Sequence, residues 1–120
     1  MPTATLLDGR LHASHIKRQV QHTIASQQLK PRLAVVLVGD DRASHIYVQA
    51  KVRQCEQVGV SVDVHKLPHH CQQDSLLNLM HELNQSKEIH GILVQLPLPA
   101  QINTHLIMQT IAPHKDVDGF

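Results

Sequence analysis

Leu33-Ala34-Val35-Val36-Leu37-Val38, followed by Gly39-Asp40-Asp41, is the stretch that decides the fold. A continuous β-branched and aliphatic run bounded by Pro31 and Gly39 suits a strand buried on both faces, as in a parallel sheet with helices on each side. Parallel strands need long crossovers, and the flanking segments supply them. Upstream, Asp8 to about Leu29 reads as a helix. Ala13, Ile16, Val20 and Ile24 make one stripe at three- and four-residue spacing, Asp8 is the expected N-cap, and Pro31 ends the element. Downstream, a second helix is expected from about Ala43 to Val58, with Gly59 as its C′ residue.

The same alternation continues to the end of the chain. Val62 and Val64 alternate with Asp63 and His65, so Ser61 to Leu67 reads as a strand closed by Pro68. Asp74 to about Leu83 is a third helix with Leu76, Met80 and Leu83 inward. Gly91 to Val94 is a short apolar strand. Gln95-Leu96-Pro97-Leu98-Pro99 cannot be regular, because two prolines remove backbone donors. Asn103 caps a last helix carrying Leu106, Ile107 and Ile111, which Pro113 ends. Lys115-Asp116-Val117-Asp118-Gly119-Phe120 reads as a polar tail. The order αβαβαβα predicts one three-layer αβα domain over residues 1–120, with a short, mostly parallel sheet and right-handed crossovers.

Composition narrows the function. The 120 residues suit a single domain, and 42% apolar with 18% charged content is that of an ordinary globular chain. A net charge of +1 argues against duplex DNA or an anionic membrane as partner. Tyr47 and Phe120 are the only aromatics, too few to stack successive bases of a single strand. Cys55 and Cys71 form no C-x-x-C pair, which suits a reducing compartment. The opening MPTATLLDGR lacks signal-peptide order, and no apolar run reaches membrane-spanning length, so the expected location is cytoplasmic.

In an open parallel sheet, ligands bind beyond the carboxyl ends of the strands. Two loops leave such ends here, Gly39 to Arg42 and Gln95 to Pro99. The helix that starts from the first loop carries Ser44, Tyr47 and Lys51 at spacings of three and four, which aligns them on one side. Val48, Val52 and Cys55 form the neighbouring, core-facing stripe. Hydroxyl, phenol and ammonium beside two strand ends can do chemistry, although on pattern alone a solvated helix face is the commoner outcome. Gln95 either points to the cleft or caps the loop backbone. Asp116 and Asp118 either anchor a ligand or form a turn. His69-His70-Cys71 has no second cluster at metal-ligand spacing, so no metal is expected. His81, His90, His105 and His114 read as surface residues, and Cys55 as a small core residue.

Taken together, three motifs resemble the methylenetetrahydrofolate dehydrogenase/cyclohydrolase family. They are Leu33 through Lys51 continuing to Cys55-Glu56 and Val58-Gly59-Val60, Gly91-Ile-Leu-Val-Gln-Leu-Pro-Leu-Pro99, and Pro113-His-Lys-Asp-Val-Asp-Gly-Phe120. Asp8-Gly9 matches as well. The resemblance spans nearly the whole chain. It implies one-carbon metabolism: NADP-dependent oxidation of 5,10-methylene- to 5,10-methenyltetrahydrofolate, then hydrolysis to 10-formyltetrahydrofolate. It also implies Lys51 as the catalytic lysine, Gln95 beside it, Tyr47 against the folate ring, Asp118 on the pterin, Ser44 near the lysine, and Leu96 and Pro97 in the substrate site. The chemistry agrees. A lysine beside a cationic folate is pushed toward the neutral form by desolvation and like-charge repulsion, and can then take a proton from attacking water.

Arg42 and Arg53 depart from the family pattern, neither at a position with an implied role. The family continues past its Asp-Val-Asp-Gly motif into a dinucleotide-binding Rossmann domain. No G-x-G-x-x-G occurs in these 120 residues, so no nucleotide site is expected in this chain. The resulting expectation is the folate-binding half of the enzyme, without hydride transfer of its own. The full-length protein would be a homodimer and this piece a monomer. The competing reading is a folate-binding module without independent catalysis.

Overall fold

The structure, a computed structural model, describes residues 15–117. Residues 15–26 form helix α1. There follow β1 (Arg32–Val38), α2 (Arg42–Val58), β2 (Ser61–Leu67), α3 (Gln73–Gln85), β3 (Gly91–Val94), α4 (Thr104–Thr110) and a 3-10 turn at Pro113–Lys115. The three strands form one parallel sheet in the order β2-β1-β3, so the all-apolar β1 is the central strand. Val35 is level with Val64 on one side and Leu93 on the other.

Strand alternation divides the core in two. Ala34, Val36, Val38, Ile92 and Val94 face α3 and α4, where Leu76, Met80, Ile107 and Ile111 meet them. Val35, Leu37 and Leu93 face α2 through Val48, with Val52 packed alongside. Fully buried side chains such as Leu76, Met80 and Ile107 each contribute roughly 1.5–3 kcal/mol by leaving water. The expected three-layer arrangement is therefore present.

Both helix ends on the α2 side of the sheet close in the same way. At α2, Gly59 has φ 94; Val60 N–H donates to Cys55 O at 2.9 Å and Gly59 N–H to Glu56 O at 3.2 Å. These are the two bonds of a Schellman end, with glycine at its left-handed position. At α1, Gln28 takes that position with φ 54, and Leu29 N–H donates to Ile24 O at 3.0 Å. The helix thus stops at residue 26, earlier than Leu29, because the carbonyls are satisfied before Pro31 is reached. The expected Asp8 cap and Ala13 lie outside the described residues. Of the α1 stripe, Ile24 is half-buried over Gly59, whereas Ile16 and Val20 stay largely exposed.

The tail differs from its polar reading. Lys115 is only 6% exposed, and its Nζ donates to the carbonyls of Leu83, Asn84 and Ser86 at 2.7–2.8 Å. Those groups lie at the end of α3, where carbonyls lack intrahelical partners and the helix dipole favours a cation. Asn84 also joins α3 to the end of α4, donating to Thr110 O at 2.6 Å and accepting from Ala112 N–H at 3.0 Å. No helix among the described residues is long and apolar enough to cross a membrane.

Candidate active site

The site is built by the two strand exits and by α2. After β1, Gly39 takes φ 94 and donates its amide to Leu67 O at 2.9 Å, which turns the chain tightly into α2. Asp41 caps that helix, its Oδ1 accepting from Ser44 N–H at 2.8 Å. The Ser44 amide, and after it the Ser44 hydroxyl, hold the Asp41 carboxyl below its ordinary range. Ser44 itself is 3% exposed, on the same side of α2 as Val48 four residues on. The expected open stripe of Ser44, Tyr47 and Lys51 therefore splits. Ser44 is buried against the cap, Tyr47 is 57% exposed, and Lys51 is half-buried between them in character.

Lys51 meets Gln95. Its Nζ donates to Gln95 Oε1 at 2.7 Å, across 44 residues of sequence. Gln95 Nε2 donates to Leu96 O at 3.0 Å, and Gln95 N–H extends the sheet ladder by donating to Val36 O at 2.9 Å. Of the two open readings of Gln95, the structure shows the loop cap, and the other end of the amide faces the lysine. The two partners also fix the amide's orientation, since an ammonium only donates and a carbonyl only accepts. Gln95 is 8% exposed, so the acceptor it offers Lys51 is held away from competing water. Directly after it the Leu96–Pro97 peptide is cis, and the chain leaves the sheet as expected from its prolines.

Lys51 lines one of two hollows near the strand exits. One, of about 280 Å³, lies between α1, α2 and the sheet, and is lined by Lys51, Cys55, Leu93 and the exposed Ile16 and Val20. The other, of about 360 Å³, lies between the strand exits, where Pro97 faces Gly39, Asp41 and His69. A larger apolar groove between α2 and β2, about 410 Å³, holds none of the expected site residues. Cys55 is half-buried beside the lysine rather than part of the core. Burial pushes its thiol up, which works against a thiolate nucleophile there. Asp118 lies outside the described residues.

Other residues singled out by sequence fall into structural roles. His81, His90, His105 and His114 are exposed, and His90 Nδ1 accepts from Arg32 N–H at 3.0 Å. The His69-His70-Cys71 turn is held by Gln101, whose Nε2 donates to the carbonyls of His69 and Cys71. Among the described residues, no group of three or more His, Cys, Asp or Glu side chains is placed to hold a metal ion. The sequence reading missed Asp41 as the cap of α2. Its signal was an aspartate three residues before a serine at a helix start.

A family model described as tetrahydrofolate dehydrogenase/cyclohydrolase, catalytic domain, matches residues 7–118. The chain belongs to this family. It is 49% identical over 121 residues to a bifunctional protein FolD from Legionella pneumophila (strain Paris), and 46% identical over 120 residues to one from Geotalea daltonii. In both cases the alignment covers 98% of this chain but 43% of the relative. Among solved structures, the bifunctional FolD methylenetetrahydrofolate dehydrogenase/cyclohydrolase of Campylobacter jejuni aligns with TM-score 0.88 at 41% identity, over 94% of this chain and 41% of that one. The FolD of Trypanosoma brucei, solved with NADP cofactor and an inhibitor, aligns with TM-score 0.85 at 29% identity, over 92% and 39%. The chain thus spans about two-fifths of the length of the curated relatives it matches.

Proposed function

We propose that this chain is the folate-binding half of a bifunctional enzyme that oxidises 5,10-methylenetetrahydrofolate to 5,10-methenyltetrahydrofolate and hydrolyses the product to 10-formyltetrahydrofolate. The observation that carries the reading is the 2.7 Å contact of Lys51 with a buried Gln95, in a chain of the tetrahydrofolate dehydrogenase/cyclohydrolase family. In the hydrolytic step, water forms a bond to the electrophilic methenyl carbon and gives one proton to the Lys51 amine; the adduct then breaks its carbon–N5 bond, the hydroxyl proton passing to N5 and the formyl group staying on N10. Like-charge repulsion between a cationic substrate and an ammonium favours such a neutral amine. Gln95 orients the lysine nitrogen, and its own position is fixed by the ladder bond to Val36 and the contact with Leu96 O. Tyr47, one turn before Lys51 and exposed, offers a flat apolar face to the folate ring. Leu96 and Pro97 border the substrate, and Asp118 accepts hydrogen bonds from the pterin edge. Ser44 supports the site through the Asp41 cap, since its burial leaves little surface for a ligand.

NADP is the hydride acceptor in this proposal, and the residues described here do not fit it. The β1–α2 turn has one glycine followed by Asp40 and Asp41, and the Asp41 carboxylate already occupies the start of α2. A pyrophosphate would meet negative charge there instead of free amides. The nucleotide is therefore assigned to another part of the enzyme, and none of the steps above passes through it. The expected setting is a cytoplasmic homodimer with small-molecule folates as partners.

A calorimetric titration with a tetrahydrofolate analogue tests the reading. Saturable binding is expected, weakened by about 1–3 kcal/mol in Asp118→Ala through loss of a charged hydrogen-bond partner. No saturation at millimolar analogue would overturn it.

A further inference from the structure

We propose that the groove between α2 and β2 is a second ligand site, separate from the Lys51–Gln95 pair, for a small organic anion: a flat or branched apolar body carrying one carboxylate.

The groove has an apolar interior and a basic rim. Its volume is about 410 Å³, within the roughly 300–1,000 Å³ range of small-molecule sites. Leu37 and Val48, both buried, close its deep end. The half-buried Val52 on α2 and Val64 on β2 form its walls. β2 is paired along one edge only, and the helix leaves the valines of its α2 face partly uncovered. Arg53 and Lys66 stand on the same two walls. Arg53 follows Val52 on the helix. Lys66 is two residues after Val64, which puts it on the same face of β2, level with Leu37. Neither cation is joined by an ion pair or a side-chain hydrogen bond to another described residue, and no Asp or Glu lines the groove. The net charge of the chain is only +1, so the positive charge here is local and not a share of a basic surface.

That pattern selects the ligand. Apolar walls take a hydrocarbon body, and a guanidinium facing an ammonium takes a carboxylate. A second copy of the chain fits poorly, because in a two-fold contact through the groove each pair of cations would meet the other pair. Lysine on an edge strand can serve simply to discourage pairing with another strand, but that role asks nothing of Arg53 or of the apolar walls. Lys51 precedes Arg53 by two residues, roughly 200° around the helix. The groove and the hollow beside Lys51 therefore open on opposite flanks of α2.

The test is a titration of the full-length enzyme, labelled at its valine and leucine methyls, with the naphthoate anion, followed by NMR. Saturable shifts are expected at Val52 and Val64 within about 5 mM ligand. They should persist when the folate site is filled with a tetrahydrofolate analogue. Arg53→Gln and Lys66→Gln are each expected to weaken binding by roughly three- to tenfold, as is exchanging the probe for neutral naphthalenemethanol. Both side chains are exposed, so both variants are expected to melt as wild type does. The proposal is overturned if the titration does not saturate, if the folate analogue displaces the probe, or if the shifts centre on Leu33 and Leu93 in the hollow beside Lys51. Equal affinity for the neutral probe, or in both variants, overturns it as well. None of these outcomes depends on folate turnover, so the proposal stands or falls apart from the folate reading.

Discussion

Lys51 on α2 and Gln95 at the exit of β3 lie 44 residues apart in sequence, and their side chains meet at 2.7 Å. The contact depends on the parallel sheet. β3 pairs directly with β1, α2 packs over both through Val48, and so the middle of the helix faces the first residue after the strand.

Removing the amide tests that contact. Gln95→Leu keeps the approximate volume but leaves the lysine nitrogen without its oriented acceptor. A hydrogen bond to a charged group is worth about 1.5–3 kcal/mol, so turnover is expected to fall by roughly ten- to a hundredfold. Cyclohydrolase assays at saturating folate check this. Unchanged turnover would show that Gln95 serves only the loop.

Gly59→Ala tests the join between α1 and α2. The position needs φ 94, and an added Cβ would lie 3.1 Å from Ile24 Cγ2. The left-handed conformation alone costs a non-glycine residue about 1–2 kcal/mol, and the crowding adds to it. Urea unfolding should show a lowered midpoint with an unchanged slope.

Asp41 links stability to acid. Its folded-state carboxyl is held below the ordinary range by the Ser44 amide and hydroxyl. A depressed carboxyl contributes stability that is fully present above its unfolded value, near 3.9, and is lost as pH falls through the folded value. The melting-temperature difference between wild type and Asp41→Ala should therefore be constant from neutral pH to about pH 5 and shrink below about pH 4. A difference that persists unchanged at about pH 2 would mean the cap acts without its charge. The carboxyl is exposed, so the effect is small.

Lys115→Met should destabilise the domain. Three carbonyls lose a charged donor at once, and the expected cost is about 2–4 kcal/mol, less than three independent bonds because the groups share one ammonium. Urea unfolding measures it.

Most of the fold was legible because it depends on neighbours in sequence. The apolar run of β1, the alternation in β2, the prolines after β3 and Gly59 after α2 each specify their element locally, and the strand bounds agree with the structure to within one residue. What was not legible depends on distant partners. Lys115 looked like part of a polar tail because its three acceptors lie 29–32 residues earlier, at a helix end that only tertiary packing brings beneath it. Ser44 was placed on the open stripe because helical spacing gives direction, whereas its burial comes from the turn that precedes α2. Lys51 and Gln95 were each singled out, but their separation in sequence meant that only the resemblance, and not the pattern, paired them.

In the proposed hydrolysis the Lys51 amine takes the proton of the attacking water. Cyclohydrolase turnover of Lys51→Met, measured together with calorimetric binding of a tetrahydrofolate analogue, tests it most directly. Turnover is expected to fall by roughly 10²–10⁴-fold, the usual share of general base catalysis, with binding retained. Turnover within a few-fold of wild type would contradict it.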